Sequence, residues 1–206
     1  PLMDIWGFTD KKYRLPSAEE INRVKKTIGS DKIILNTEDF VVEFSAFGMK
    51  IDLGAIAKGY AVDCAVRKLK EKRIKNCLIN VGGDIYCLGT KNGRPWKVAV
   101  KDPRKPGVVE YLTLQDKAVA TSGDYEQYFM IEEKRFSHIF DPRTGYPADS
   151  GVISVTVIAE DCLSADALAT SIFVLGKGRL PELAKKFPDA ETRIFEQKGI
   201  SEGHAL

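Results

Sequence analysis

The sequence of 206 residues predicts an α+β fold. Segments with apolar residues at spacings of three and four lie among shorter, strand-like segments, and the two kinds do not alternate regularly. Regular alternation would predict a doubly wound parallel sheet, whereas an irregular mixture favours α+β. Hydrophobic residues make up 44% of the chain, which is enough for one substantial core or for two lobes that share one.

Four segments combine apolar residues with start or stop signals of helices. Ser17 and Glu20 form a capping-box pattern at the start of the first segment, and Gly29 follows it as a stop. Gly176 ends the third segment, and Pro188 ends the short fourth one. The predicted helices cover residues 17–28, 57–72, 164–175 and 181–187.

Short runs of branched, aromatic and other apolar residues, bounded by turn residues, predict the strands. A polar turn at residues 36–39 separates the first two runs, and the double glycine at residues 82–83 separates the next two. Alternating polarity marks the last run. The predicted strands cover residues 32–35, 40–44, 77–81, 85–88, 96–100, 118–120, 135–140 and 152–159.

The charge balance argues against a nucleic-acid-binding protein. The chain has 31 basic and 29 acidic residues and a formal net charge of +2, which creates no field that would attract a polyanion. No apolar run approaches the roughly 20 residues that a membrane-spanning helix needs.

The four cysteines, Cys64, Cys77, Cys87 and Cys162, form no C-x-x-C pair, which argues against a zinc site or a thioredoxin-type motif. Cys77 and Cys87 flank a predicted hairpin, so a disulfide between them is one interpretation. Four buried thiols is the interpretation that we favour.

Asp166 and Thr170 lie four residues apart in a predicted helix, so their side chains share one face. A carboxylate and a hydroxyl supply the hard oxygens that Mg²⁺ prefers, with water and substrate phosphate completing the shell. An acid in so apolar a helix needs a partner, because burial of an unpaired charge is costly. The alternative is a helix-start role, in which Asp166 faces the positive helix end and Thr170 bonds back to a carbonyl.

Lys58 lies in the first turn of a predicted helix, where the helix dipole disfavours a positive charge. Together with Asp52 and two glycines it marks a junction where backbone groups can face a ligand and phosphate is attracted. This arrangement suggests a specific anionic partner. The alternative is an N-cap acid beside a surface lysine. The order G-x-x-x-x-G-K-[ST] is absent, which argues against a Walker A loop.

Three further polar segments carry two interpretations each. Gly82 and Gly83 would let the backbone approach a flat ring or a phosphate, or form a plain hairpin turn. His138, beside a loop, is placed to act as a base near neutral pH, or is structural. The loop at residues 122–125 is similarly ambiguous, and the other histidine, His204, lies in the terminal tail.

Five motifs occur in a specific order along the chain. They are D-L-G-x-I-A-K-G-Y-A-V-D at 52–63, I-N-V-G-G-D at 79–84, S-G-D-Y at 122–125, S-H-I-x-D-P-R-T-G-x-P at 137–147 and A-D-A-L-A-T at 165–170. In this order they resemble the ApbE family of FAD:protein FMN transferases, from Ile5 to about Glu196. The resemblance implies that residues 1–206 form a flavin transferase core, with a mixed or antiparallel sheet and packed helices.

The resemblance also implies roles for individual residues. Asp166, Thr170 and a main-chain oxygen of Ala55 would bind Mg²⁺. Asp166 would serve catalysis through that ion, and His138 would be the general base.

The implied ligand contacts are with FAD. Asp52 and Lys58 match positions that contact FAD, Gly83 belongs to the backbone expected to approach it, and Phe140 matches a position that lines the flavin pocket.

The implied reaction is Mg²⁺-dependent transfer of FMN from FAD, the substrate, to a threonine (or serine) hydroxyl of an acceptor flavoprotein, with release of AMP. The acceptors would be subunits of respiratory electron-transfer complexes and related secreted flavoproteins. Two alternatives stay open: an Mg²⁺-dependent FAD pyrophosphatase that yields FMN and AMP, and a non-catalytic FAD-binding protein.

Family members usually carry a further N-terminal part with a signal or lipid anchor and several flavin contacts. We therefore expect a periplasmic or extracytoplasmic protein, associated with the membrane only through an anchor absent from this chain. We also expect this chain alone to bind FAD weakly or to be inactive.

Overall fold

The computed structural model describes residues 1–196 and 199–203, and His204 lies outside them. Its helices are α1 (Leu2–Ile5), α2 (Ala18–Lys25), α3 (Ala57–Glu71), α4 (Cys162–Leu175) and α5 (Leu180–Lys186). Single 3₁₀ turns lie at Ser30–Lys32 and Lys177–Arg179. Within the described residues, no helix is long and apolar enough to cross a bilayer.

The strands are short and lie between these helices. They are β1 (Ile33–Asn36), β2 (Val41–Phe44), β3 (Cys77–Val81), β4 (Asp84–Leu88), β5 (Trp96–Lys101), β6 (Val108–Leu114), β7 (Lys117–Gly123), β8 (Tyr128–Ile131), β9 (Lys134–Ser137), β10 (Phe140–Asp141), β11 (Tyr146–Pro147), β12 (Val152–Ala159), β13 (Glu191–Glu196) and β14 (Gly199–Gly203). The predicted α+β class is confirmed.

The chain divides into two compact units, each made from two segments. The first unit comprises Pro1–Asp52 and Gln127–Ala148, and the second comprises Leu53–Glu126 and Asp149–Leu206.

The first unit is built around aromatic side chains. Trp6 is fully buried and packs with Phe8, Ile21 and Phe129. The indole N–H of Trp6 donates to the carbonyl oxygen of Gly145 at 3.1 Å, which satisfies the polar group of an otherwise apolar side chain. Three two-stranded antiparallel pairs, β1–β2, β8–β9 and β10–β11, complete this unit.

The second unit is organised by a six-stranded sheet in the order β14-β13-β12-β7-β4-β3, with every neighbouring pair antiparallel. All eight residues of β12 are buried, as expected for a strand covered on both faces. The β5–β6 hairpin contributes Val98, Val100, Leu112 and Leu114 to the core on one face of the sheet. Helix α4 packs against β7 and β12, and α3 packs against α4 and β4.

Two carboxylates cap the start of α4. Asp161 is the N-cap and accepts a hydrogen bond from the backbone N–H of Ser164 at 2.7 Å. Asp63, on α3, accepts bonds from the backbone N–H groups of Cys162 and Leu163 at 2.8 and 2.9 Å. These caps satisfy the first N–H groups of α4. They start the helix two residues before the predicted position at Ser164.

Most of the predicted elements are confirmed, with shifted ends. The capping box of α2 forms as predicted, with both reciprocal hydrogen bonds of Ser17 and Glu20, although α2 ends at Lys25 rather than near Ile28. The predicted strand at 135–140 is wrong as one element, because it divides into β9 and β10. The sequence patterns did not predict α1, β6, β8, β11, β13 or β14.

The suggested disulfide between Cys77 and Cys87 is contradicted. The β3–β4 register places Cys77 opposite Leu88 and Cys87 opposite Leu78. Cys77 shares a face of the sheet with Leu88, and Cys87, the residue next to Leu88, points to the other face. The two thiols therefore cannot meet. All four cysteines are free, but only Cys87 and Cys162 are buried, because Cys64 and Cys77 are half-buried.

Gly59 allows α3 and α4 to approach closely, and this generates a first prediction. A Cβ atom at Gly59 would lie 2.8 Å from the Cα of Leu163 and closer still to the Cys162 carbonyl. Since these are backbone atoms, Gly59→Ala must push the helices apart, and it should lower the free energy of unfolding by about 1–3 kcal/mol. Urea denaturation measures this change.

Gly178 provides the matched control, because a Cβ atom there meets nothing within 4 Å. Gly178→Ala should change the free energy of unfolding by no more than about 1 kcal/mol. Equal effects of the two substitutions would contradict the close approach at Gly59.

Candidate active site

Asp166 lies inside α4 rather than at its start. It is the fifth residue of the helix, it is only 2% exposed, and the first turn contains no acidic residue. The helix-start interpretation of Asp166 is therefore wrong, because Asp161 occupies that role.

The carboxylate of Asp166 is held by the first turn of α3. The Nζ atom of Lys58 lies 3.3 and 3.4 Å from its two oxygens. The backbone N–H of Gly59 donates to Oδ2 at 3.1 Å. A lysine in the first turn of a helix, which the dipole disfavours, thus finds its anionic partner within the same unit.

Asp84 is a second buried acid at this place. It is the first residue of β4, it is 1% exposed, and its Oδ2 lies 3.2 Å from Lys58 Nζ. This contact is an ion pair, and Oδ2 has no hydrogen-bond partner among the described residues. The sequence could have pointed to Asp84 through its motif, because Asp84 is the acid that ends the I-N-V-G-G-D run.

We call Lys58, Asp84 and Asp166 the acid–lysine cluster. Burial first, and then the charge of Asp166, raise the pKa of Asp84, and against the opposing effect of Lys58 it reaches about 7. Burial would lower the pKa of Lys58, but the carboxylates of Asp84 and Asp166 outweigh it and raise that pKa. Two acids share one ammonium, so the cluster has a surplus of negative charge when fully ionised.

Thr170 follows Asp166 by one helical turn. Its Oγ1 lies 2.9 Å from Oγ of Ser122 on β7, and either hydroxyl can donate. Ser122 is 8% exposed and belongs to the S-G-D-Y run, whose role the sequence left open. The pair joins the candidate ligand Thr170 to the central sheet.

Gly83 forms the two-residue turn between β3 and β4 with Gly82, as the hairpin interpretation predicted. Both glycines have positive φ, and the N–H of Gly83 donates to Oδ1 of Asn80 at 3.0 Å. Gly83 lines a cavity of about 500 Å³ together with Thr121 and Tyr125.

The cavity lies on the sheet face away from α4. Thr121, which lines it, hydrogen-bonds to Thr156 across the sheet at 2.8 Å, whereas the next residue, Ser122, bonds to α4. Neighbouring residues of a strand point to opposite faces. The cavity nevertheless reaches the β3–β4 turn beside the acid–lysine cluster, because Gly82 also lines it and a Cβ atom at Gly82 would lie 3.7 Å from Cδ of Lys58.

Three of the predicted site residues belong to the first unit: Asp52, His138 and Phe140. His138 is half-buried, and its backbone N–H donates to the Gln127 carbonyl at 3.0 Å, with its Nδ1 3.1 Å from the same oxygen. Phe140 packs against Trp6 and Phe8 at ring distances of 5.8 and 5.7 Å. Asp52 is exposed.

Comparison with known proteins decides the family. The model of the ApbE family matches residues 1–194. This chain belongs to the ApbE family. Among curated relatives, the FAD:protein FMN transferase of Haemophilus influenzae is 36% identical over 194 residues, which cover 90% of this chain and 56% of the relative. The transferase of Treponema pallidum is 38% identical, over 77% of this chain and 47% of the relative.

Solved ApbE structures show the same fold. The ApbE protein of Thermotoga maritima gives a TM-score of 0.90 at 42% identity, covering 98% of this chain and 67% of that chain. The flavin transferase ApbE of Vibrio cholerae gives 0.85 at 30% identity, covering 100% of this chain and 66% of that chain. This ApbE chain thus spans about half the length of the curated relatives that it matches.

The acid–lysine cluster of this ApbE chain fits a hard divalent cation. Asp84 has a buried carboxylate oxygen without a hydrogen bond, and Asp166 and Thr170 add oxygens one helical turn apart. No group of three His, Cys, Asp or Glu side chains within the described residues could hold an ion. Hydroxyl, carbonyl, water or substrate oxygens would therefore complete the shell, which is typical of Mg²⁺. Ala55, in the turn before α3, is half-buried.

A second prediction follows from the raised pKa of Asp84. It applies to protein kept free of divalent cations with EDTA. Since its pKa rises from 3.8 to about 7 on folding, the folded state binds a proton that the unfolded state has lost. This contribution to stability is complete below the unfolded pKa and is lost as the pH rises through about 7. In Asp84→Asn, the fall in unfolding free energy between pH 4 and pH 7 should be smaller than in the wild type.

Urea denaturation across this pH range measures the difference. Asp189→Asn, at an exposed position in the same unit, removes the same charge and should keep the wild-type pH profile. A wild-type profile in Asp84→Asn would show that Asp84 is not the group that titrates.

Proposed function

We propose that this chain carries the catalytic core of an FAD:protein FMN transferase. The reaction is Mg²⁺-dependent transfer of FMN from FAD to a threonine or serine hydroxyl of an acceptor flavoprotein, with release of AMP. The observation that carries the proposal is the buried pair of acids beside Lys58, in a chain whose curated relatives are named FAD:protein FMN transferases.

The acids and hydroxyls of the second unit would hold the ion. Asp166, Thr170 and the carbonyl oxygen of Ala55 are its proposed ligands. When bound, Mg²⁺ supplies a Lewis acid that offsets charge on pyrophosphate oxygens. Lys58, whose side chain is 41% exposed, keeps its charge and can donate hydrogen bonds to the same phosphates.

The proposed transfer forms one phosphorus–oxygen bond and breaks another. The acceptor hydroxyl oxygen bonds to the phosphorus on the FMN side of FAD, and the bond from that phosphorus to the bridging oxygen breaks. The bridging oxygen leaves with AMP. His138 accepts the hydroxyl proton as general base. Asp52, Gly83 and Phe140 are the proposed contacts to FAD.

The acceptors that we propose are flavoprotein subunits of respiratory electron-transfer complexes, modified outside the cytoplasm. We further propose a periplasmic or extracytoplasmic location for the whole protein, which would be held at the membrane as a lipoprotein. Support for both comes from the motif resemblance to the family.

The third prediction concerns Asp166. Asp166→Asn should lower Mg²⁺-dependent AMP release and flavin transfer by at least about 100-fold, because the ion loses the negative charge of a proposed ligand. The assay combines the protein, FAD, Mg²⁺ and an acceptor flavoprotein, and measures AMP together with flavin fluorescence that stays on the denatured acceptor. Asp189→Asn is the matched control and should keep wild-type rates.

Other products in the same assay identify other functions. Free FMN and AMP without a labelled acceptor would replace the transferase by an FAD pyrophosphatase. Bound FAD without any release of AMP would point to an FAD carrier.

The fourth prediction concerns His138. His138→Ala should lower flavin transfer by about 10²–10⁴-fold, because the acceptor hydroxyl loses its base. The affinity for FAD, measured by titration of flavin fluorescence, should stay within a few-fold of the wild type. His204→Ala removes the other histidine and should leave transfer unchanged. An unchanged rate in His138→Ala would remove this residue from the mechanism.

A further inference from the structure

Ser122 is the nearest described hydrogen-bond partner of the hydroxyl of Thr170. The two oxygens lie 2.9 Å apart, within one unit, and Ser122 is nearly buried beneath α4. Ser122 reaches α4 because successive residues of β7 alternate between the two faces of the sheet. The hydroxyl of Thr121 therefore points away and bonds to Thr156 at 2.8 Å.

The chemistry of a hydroxyl ligand explains why such a partner matters. A neutral threonine that binds a cation does so through an oxygen lone pair, so its proton must point away from the ion. That proton needs an acceptor, because Thr170 is half-buried and a donor withdrawn from part of its water is costly to leave unpaired. Ser122 Oγ lies at hydrogen-bond distance to accept it.

We propose that Ser122 is a positioning residue for the metal site, which accepts the Thr170 proton and turns the Thr170 lone pair towards the ion. This inference rests on the proposed function, since it takes Thr170 as a ligand. A contact of this kind, one step behind a ligand, typically controls metal affinity by 10- to 100-fold.

The alternative is that the hydrogen bond only ties α4 to β7. The Thr121–Thr156 bond offers a matched test, because it lies one residue away on the same strand and is equally short. Ser122→Ala and Thr121→Val each remove one hydroxyl pair from the same sheet. Only the first of these pairs includes a proposed ligand.

The experiment titrates the 206-residue chain with Mn²⁺ as a spectroscopic substitute for Mg²⁺, and follows the free ion by electron paramagnetic resonance. Ser122→Ala should weaken Mn²⁺ binding by about 10- to 100-fold, and Thr121→Val should leave it within about twofold of the wild type. Ser122→Cys keeps the size of the side chain but is a weaker acceptor, so its affinity should fall between those of the wild type and Ser122→Ala.

The remaining outcomes would overturn either the role of Ser122 or the ion site itself. Wild-type affinity in Ser122→Ala, with affinity lost in Asp166→Asn, overturns the role of Ser122 and keeps the metal site. Equal weakening in Ser122→Ala and Thr121→Val shows that the bond only supports the sheet. Wild-type Mn²⁺ affinity in Asp166→Asn, or no Mn²⁺ binding by the wild type, overturns the proposed ion site itself.

Discussion

Two carboxylates buried beside a single ammonium set the constraint on which the second unit depends. An ionised acid inside a protein is costly unless opposite charge and hydrogen bonds replace its water. Asp166 receives both, from Lys58 and from the backbone N–H of Gly59. Asp84 pairs with Lys58, but its Oδ2 has no hydrogen-bond partner among the described residues, and burial together with the charge of Asp166 raises its pKa.

The packing of α3 on α4 follows from this constraint. The backbone N–H of Gly59 comes within 3.1 Å of Asp166 because Gly59 has no side chain to hold the helices apart. Asp63, one turn further along α3, caps the first N–H groups of α4 and fixes where that helix begins. Ser122 then ties α4 to the central sheet through Thr170. Contacts from α3 on one side and from β7 on the other thus hold the helix that carries Asp166.

The charge of the cluster also bears on the proposed reaction. Asp84 and Asp166 together carry one negative charge more than Lys58 offsets when all three are ionised. A divalent cation alone would make the net charge of the cluster positive and would repel Lys58. A pyrophosphate group that arrives with the cation would make the net charge negative again. A diphosphate substrate should therefore tighten the binding of a cation that the acid–lysine cluster already attracts, in line with the proposed reaction.

The sequence by itself determined the elements whose signals are local. The start of α3 at Ala57 and the bounds of β3 and β12 matched the prediction, and the capping box of α2 formed, because periodicity and caps depend on a few adjacent residues. The ordered motifs identified the family for the same reason, since each motif is a short continuous run.

Only the tertiary structure decided which distant residues meet. The partnership of Lys58 with Asp84 and Asp166, and the cap that Asp63 places on α4, join residues from separate elements. Likewise, the register of β3 against β4 places Cys77 and Cys87 on opposite faces. Such pairings arise from the packing of helices on a sheet, and no local spacing in the sequence encodes them.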